Sequence, residues 1–229
     1  MNRTQLEHII RAASQISADT EIVVIGSQSS HALDMKLPPI AYLSQEADVY
    51  PRNHPDRADD VDGAIGELSP FHMTHGYYAH GVAPETALLP KGWQDRVVRL
   101  SSPATGGATG LCLDVHDLVL SKYAAGREKD LAFNAAVVRH GCVTKKKLLS
   151  LLRSLPVDTA MADLIRSRIK ADRAGPALSD NFSALISGTS AGVKLPSGSA
   201  IWCSRLDRVC VGQGSNAGGR DCRSRGSVR

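Results

Sequence analysis

Two carboxylates stand two residues apart in Glu46-Ala-Asp-Val-Tyr-Pro51, a run that alternates polar and apolar positions. In an extended strand such a pair shares one face, about 6.5–7 Å apart along the chain. Glu46 and Asp48 can therefore hold one or two hard divalent cations that bridge a triphosphate. Upstream, Glu21-Ile-Val-Val-Ile25 reads as a buried strand that runs into Gly26-Ser27. A Gly-Ser turn lets backbone N–H groups approach phosphate oxygens, and a helical turn after it, expected over residues 28–33, favours negative charge. Each half alone is ordinary, since an acidic pair is most often a solvated strand face. Together they point to phosphate and metal chemistry.

The second constellation is His116-Asp-Leu-Val-Leu-Ser-Lys122 followed by Arg127-Glu-Lys-Asp130-Leu. On one continuous helix Lys122 and Asp130 lie just over two turns apart and face nearly the same way. Leu118, Leu120 and Leu131 then face the core. A lysine so placed can neutralise phosphate charge in a transition state, and Asp130 can orient it or Arg127. The plainer alternative is an amphipathic helix with exposed ion pairs.

The remaining candidates are weaker. A strand, a glycine and a later acidic residue fit a dinucleotide-binding pattern, but Gly26 stands without the G-x-G-x-x-G that fold requires. His72-Met-Thr-His75-Gly-Tyr-Tyr-Ala-His80 is the densest histidine cluster. It reads as a turn entering a strand, with metal binding, pocket lining and plain surface all open. Thr105-Gly-Gly-Ala-Thr-Gly110 lacks the Lys-Ser/Thr ending of a phosphate loop and reads as a hairpin or flexible loop. Lys145 to Lys147 form a solvated face or contact a nucleic-acid backbone. Cys112 and Cys142 read as buried, unreactive thiols.

The elements that must position these residues follow from periodicity. A helix is expected over 3–16, with Thr4 and Glu7 as its capping box. Further helices are expected over 55–65, 144–154 and 157–172, and one long helix or two over 115–140. Short strands are expected over 21–25, 46–50, 77–82, 96–100 and 110–114. Strands come early, interleaved with helices, and helices dominate late, so the class is α/β (α+β).

The charge narrows the function classes. Residues 1–175 carry 20 Lys and Arg against 20 Asp and Glu, and residues 176–229 carry 7 against 3. The net charge of +4 thus sits entirely in the last segment, and the neutral body disfavours a general nucleic-acid-binding module. Residues 176–229 also hold Cys203, Cys210 and Cys222, without a zinc-ligand spacing, and show no sustained period. They are expected to be a disordered basic tail. Three parts are expected: an α/β core over 1–112, a helical region packed on it over 113–175, and the tail. Apolar runs such as Ile22 to Ile25 are too short to cross a bilayer. The opening MNRTQLEHIIRAASQ has no long apolar stretch, so a cytoplasmic protein without a secretory leader is expected.

Gly26-Ser27, Glu46-Ala-Asp48, Ser121-Lys122 and Arg127-Glu-Lys-Asp130-Leu together resemble the minimal nucleotidyltransferase superfamily of the polymerase-β type, over roughly residues 1–170. The resemblance is to its AbiEii-like toxins and small DUF6036-type relatives. It implies a nucleotidyltransferase fold with a small mixed sheet and a helical C-terminal half. It implies that Gly26, Ser27, Lys122 and Arg127 bind a nucleoside triphosphate, that Glu46 and Asp48 bind Mg²⁺, and that Lys122 and Asp130 support catalysis. The implied reaction moves a nucleotidyl group to a hydroxyl on RNA, protein or a small molecule. A toxin-like member would have a cognate antitoxin as partner; the alternative is a catalytically inactive nucleotide- or protein-binding module. Three features depart from the family pattern. The gap from Ser27 to Glu46 is long and holds Pro38-Pro39, the first carboxylate is Glu rather than Asp, and a third carboxylate has no clear counterpart. Asp95 and Asp114 flank the strand that should carry it.

Overall fold

The first helix, α1 (Arg3–Ser17), buries Leu6, Ile9, Ile10 and Ala13 along one face. Its cap lies earlier than the Thr4–Glu7 pattern predicts. The Asn2 side chain accepts from the Gln5 N–H, and the Gln5 side chain accepts from the Asn2 N–H. A capping acceptor must stand before the first helical residue, and Thr4 is already inside the helix. The structure, a computed structural model, describes residues 1–172. The expected disordered tail over 176–229, with its three cysteines, lies outside the described residues.

Five strands form one mixed sheet: β1 (Glu21–Ile25), β2 (Glu46–Pro51), β3 (Tyr78–Gly81), β4 (Val98–Leu100) and β5 (Thr109–Cys112). Their order is β3-β2-β1-β5-β4. The central strand β1 is antiparallel to β2 and parallel to β5, β2 is parallel to β3, and β4 is antiparallel to β5. Covered on both faces, β1 is apolar throughout its buried length. Ile22 and Val24 pack with α1 and with Val61 of α2 (Ala58–Ile65). Val23 and Ile25 face the helical half, where Leu118 and Leu120 of α4 (Val115–Ala125) join Leu148 of α6 (Lys145–Leu152) and Ile165 of α7 (Thr159–Ala171).

The segment 115–140 is two helices, α4 and α5 (Glu128–Arg139), because Gly126 takes a left-handed conformation (φ 65°) that ends the first. Two other expectations change. Residues 55–57 form a separate 3-10 turn before α2. Residues 70–75 form a short helix, α3 (Pro70–His75), where a turn was expected. Ser69 caps it through the His72 N–H and Pro70 opens it, a start signal that the histidines obscured. The segment around 105–110 joins β4 to β5 as a hairpin connection. Among the described residues no helix is long and apolar enough to cross a membrane.

Candidate functional site

Alternation along β2 buries Ala47 and Val49 completely and leaves Glu46 and Asp48 half-buried on the opposite face. The parallel neighbour β3 sets His80 directly opposite Asp48. The His80 Nδ1 lies 3.0 Å from Glu46 Oε1 and 3.1 Å from Asp48 Oδ1. One ligand atom from each of the three residues falls within 4.8 Å of the others. Burial, and then the Asp48 charge, push the Glu46 carboxyl above its ordinary value. Burial alone would lower His80, but the hydrogen bond to Asp48 and the carboxylate charges outweigh it and hold the imidazole above its ordinary value.

At the end of β1, Gly26 adopts φ 76°, and a Cβ there would sit 2.6 Å from Asp48 Oδ2. Only glycine permits both the turn and this approach. The following 3-10 turn, Ser27–Ala32, is tied back to the strand by Ser29, whose hydroxyl donates to the Val24 carbonyl at 2.8 Å.

The opposite wall comes from the α4–α5 corner. Lys122 closes α4 and Asp130 opens α5, so the two meet across the Gly126 turn rather than along one helix. Lys122 Nζ donates to Asp130 Oδ1 at 2.7 Å, and Arg127 Nε donates to Asp130 Oδ2 at 2.6 Å. The Asp130 side chain is wholly buried. Burial would raise its carboxyl, but the hydrogen bonds and charges of Lys122 and Arg127 hold it below its ordinary value. Lys122 also stands 4.7 Å above the centre of the Phe133 ring.

A cleft of about 460 Å³ brings the residues singled out in the sequence together. Gly26, Ser27, Glu46 and Asp48 line its sheet side, and Lys122, Arg127 and Asp130 line its helix side. Ile40 and Leu43, from the long gap before Glu46, close part of the rim. The lining also includes His80, Lys129 and Phe133, whose part in this cleft the sequence alone does not assign. The signal for His80 was its place in the histidine cluster, but the parallel β2–β3 register that brings it to Asp48 is a long-range pairing.

The structure separates other candidates from the cleft. His72 Nδ1 accepts from the Leu68 N–H, and His75 packs on Phe71 and His8. Asp95 and Asp114 are not among the cleft's lining residues. Asp114 caps α4, accepting from the His116 N–H at 2.9 Å, and pairs with Lys147 at 3.4 Å. Burial would raise the Asp114 carboxyl, but its contacts with His116 and Lys147 bring it down to about 2. Burial pushes the Cys112 thiol up to about 12, which keeps it unreactive.

Two carboxylates and one imidazole make a donor set of hard oxygens and one borderline nitrogen, which fits a divalent metal ion. Lys122, Arg127 and Lys129 face that set across the cleft, so the arrangement suits a polyanion carrying a cation. A family model described as a nucleotidyltransferase of unknown function (DUF6036) matches residues 4–172. No curated protein and no solved structure matches the chain.

Proposed function

Since the chain belongs to the DUF6036 family of nucleotidyltransferases, we propose that it transfers a nucleotidyl group from a nucleoside triphosphate to a hydroxyl acceptor, in the cleft between β2–β3 and the α4–α5 corner. One observation carries this reading: an acidic pair, a glycine turn and a cationic wall converge on one cavity. Glu46 and Asp48 would hold a divalent cation, Mg²⁺ first, with His80 as a third donor. When bound, that ion polarises the α-phosphate and makes the attacking hydroxyl more acidic.

The chain's own residues supply the rest. Gly26 lets the backbone approach the triphosphate, and Ser27 offers its N–H and hydroxyl. Lys122 and Arg127 neutralise phosphate charge. Asp130 positions both of them, because it accepts from each and is itself out of water. In this reading residues 1–112 bind cation and nucleotide, and the helical region from 113 onward supplies the cationic wall. The acceptor class is RNA, protein or a small molecule. The AbiEii-like pattern supports a finer form, a cytoplasmic toxin-like component with a cognate antitoxin.

A second reading is a nucleotide- or protein-binding module without catalysis. The commitment of Asp114 to His116 and Lys147 favours it, since among the described residues no third carboxylate then joins the acidic pair.

The test incubates the full chain with Mg²⁺ or Mn²⁺, each nucleoside triphosphate labelled on its α-phosphate, and total RNA and protein. Label should appear on an acceptor and vanish with Asp48→Ala. Nucleotide binding without transfer would move the assignment to the second reading, and full activity in Asp48→Ala would remove the site assignment.

A further inference from the structure

One strand step beyond the cleft, the same sheet face carries a second cavity of about 510 Å³. Asp48 and Tyr50 are successive same-face residues of β2, about 7 Å apart. Their β1 partners are Ile25 and Val23. Asp48 and Ile25 line the cleft, and Tyr50 and Val23 line the cavity. Ala87 lines both, so the two cavities adjoin at the segment that follows the 3-10 turn Pro84–Thr86.

The chemistry of this cavity differs from that of the cleft. Its walls are apolar, with Leu88, Leu89, Trp93 and Val97. Tyr50 is only 5% exposed overall, and among the described residues its hydroxyl makes no hydrogen bond, but the oxygen is not a buried unpaired atom and so opens into the cavity. A phenol so placed offers one donor and one acceptor to whatever fills the cavity. The rim cation Arg52 is engaged by Glu21 at 2.7 Å, and Glu85 stands on the same rim. Among the described residues the cavity is thus lined by one paired cation and one carboxylate, a poor match for a phosphodiester backbone.

We propose that this cavity is the acceptor site, and that the acceptor is a small uncharged molecule with a flat apolar body and a hydroxyl. The inference rests on the nucleotidyl-transfer reading. The volume lies within the roughly 300–1,000 Å³ of small-molecule pockets. Trp93 offers the flat body a stacking face, and the Tyr50 hydroxyl offers a hydrogen bond to a polar group of the ligand. The acceptor hydroxyl then meets the α-phosphate at Glu46 and Asp48. Its oxygen bonds to the α-phosphorus, and the bond from that phosphorus to the bridging β-oxygen breaks. Pyrophosphate leaves with the electron pair, and the hydroxyl proton passes by way of the Asp48 carboxylate to solvent.

The test uses the full chain, ATP labelled on its α-phosphate, Mg²⁺, and naphthylmethanol as the probe alcohol. Leu88 lines the cavity at 40% exposure, so Leu88→Trp fills it without forcing a buried side chain. Tyr50→Phe removes the hydroxyl alone. Leu88→Trp should weaken probe binding at least about tenfold and abolish probe labelling, and Tyr50→Phe should weaken binding about threefold. ATP affinity should stay within about twofold in both variants. Unchanged probe affinity in both variants would overturn the proposal. So would displacement of the probe by ATP, which locates it in the cleft, or labelling of RNA or protein that Leu88→Trp leaves at full rate. Failure of the unaltered chain to bind ATP is a separate outcome: it removes the nucleotidyl-transfer reading, and the acceptor role with it.

Discussion

The two walls of the cleft handle charge in opposite ways. On the helix side, one wholly buried carboxylate, Asp130, satisfies two cations at 2.6 and 2.7 Å. On the sheet side, two half-buried carboxylates share a single imidazole. The helix side has its carboxylate fully paired and keeps an excess of positive charge, whereas the sheet side keeps an excess of negative charge and a raised Glu46. The first arrangement is a finished structural unit that presents cations in fixed positions. The second leaves two carboxylates around one imidazole, an arrangement that the proposed cation would complete.

Breaking the paired unit should cost the most. Asp130→Ala leaves Lys122 without its buried partner and should destabilise the fold by about 3 kcal/mol, measured by urea unfolding. A loss near zero would mean the helix side is no better paired than the sheet side. Next comes the sheet side. Saturating Mn²⁺, at about 100 times its Kd, should stabilise the unaltered chain by about 2.7 kcal/mol in a thermal-shift assay. Asp48→Ala should abolish that gain while changing cation-free stability far less than Asp130→Ala does.

Gly26→Ala sharpens the contrast, because it crowds Asp48 from the backbone. With φ 76° and a Cβ 2.6 Å from Oδ2, it should cost about 1–2 kcal/mol and weaken Mn²⁺ binding. The pH response should be smallest, and opposite on the two sides. Folded-state pKa values are raised for His80 and Glu46, so their stabilisation is complete below the unfolded values and fades as pH rises through the folded ones. Asp130 is depressed, so its contribution is complete above the ordinary 3.8 and is lost as pH falls through its folded value. Cation-free unfolding between about pH 3 and 9 should therefore reveal decline at both ends, and His80→Gln should flatten only the upper one.

Much of this was legible in the chain itself. The alternation of Glu46 to Tyr50 placed both carboxylates on one face, and Gly26 marked the strand end. These are local properties, fixed by a period of two and by one residue's backbone freedom. Lys122 and Asp130 were legible as partners for a reason that turned out different. Their spacing suited one helix, but they meet because Gly126 folds the chain back on itself. His80 was legible only as a member of a cluster. Its role depends on which strand β3 joins and in which direction, and a one-residue slip would turn it to the other face. The second cavity was not legible at all, since its walls come from β1, β2, β5 and the segment 84–97.

The strand order has a consequence for how the protein is made. β1, which carries Gly26, pairs in parallel with β5, through Glu21 opposite Thr109. A nascent chain therefore holds its central strand half-paired until β5 has emerged, and the cationic corner of Lys122 and Asp130 follows later still. The acidic pair is synthesised first and waits longest for its counterpart. The cleft thus has no complete precursor on the ribosome: a chain cut before α5 would carry Glu46 and Asp48 without the Asp130 that holds Lys122 and Arg127 opposite them.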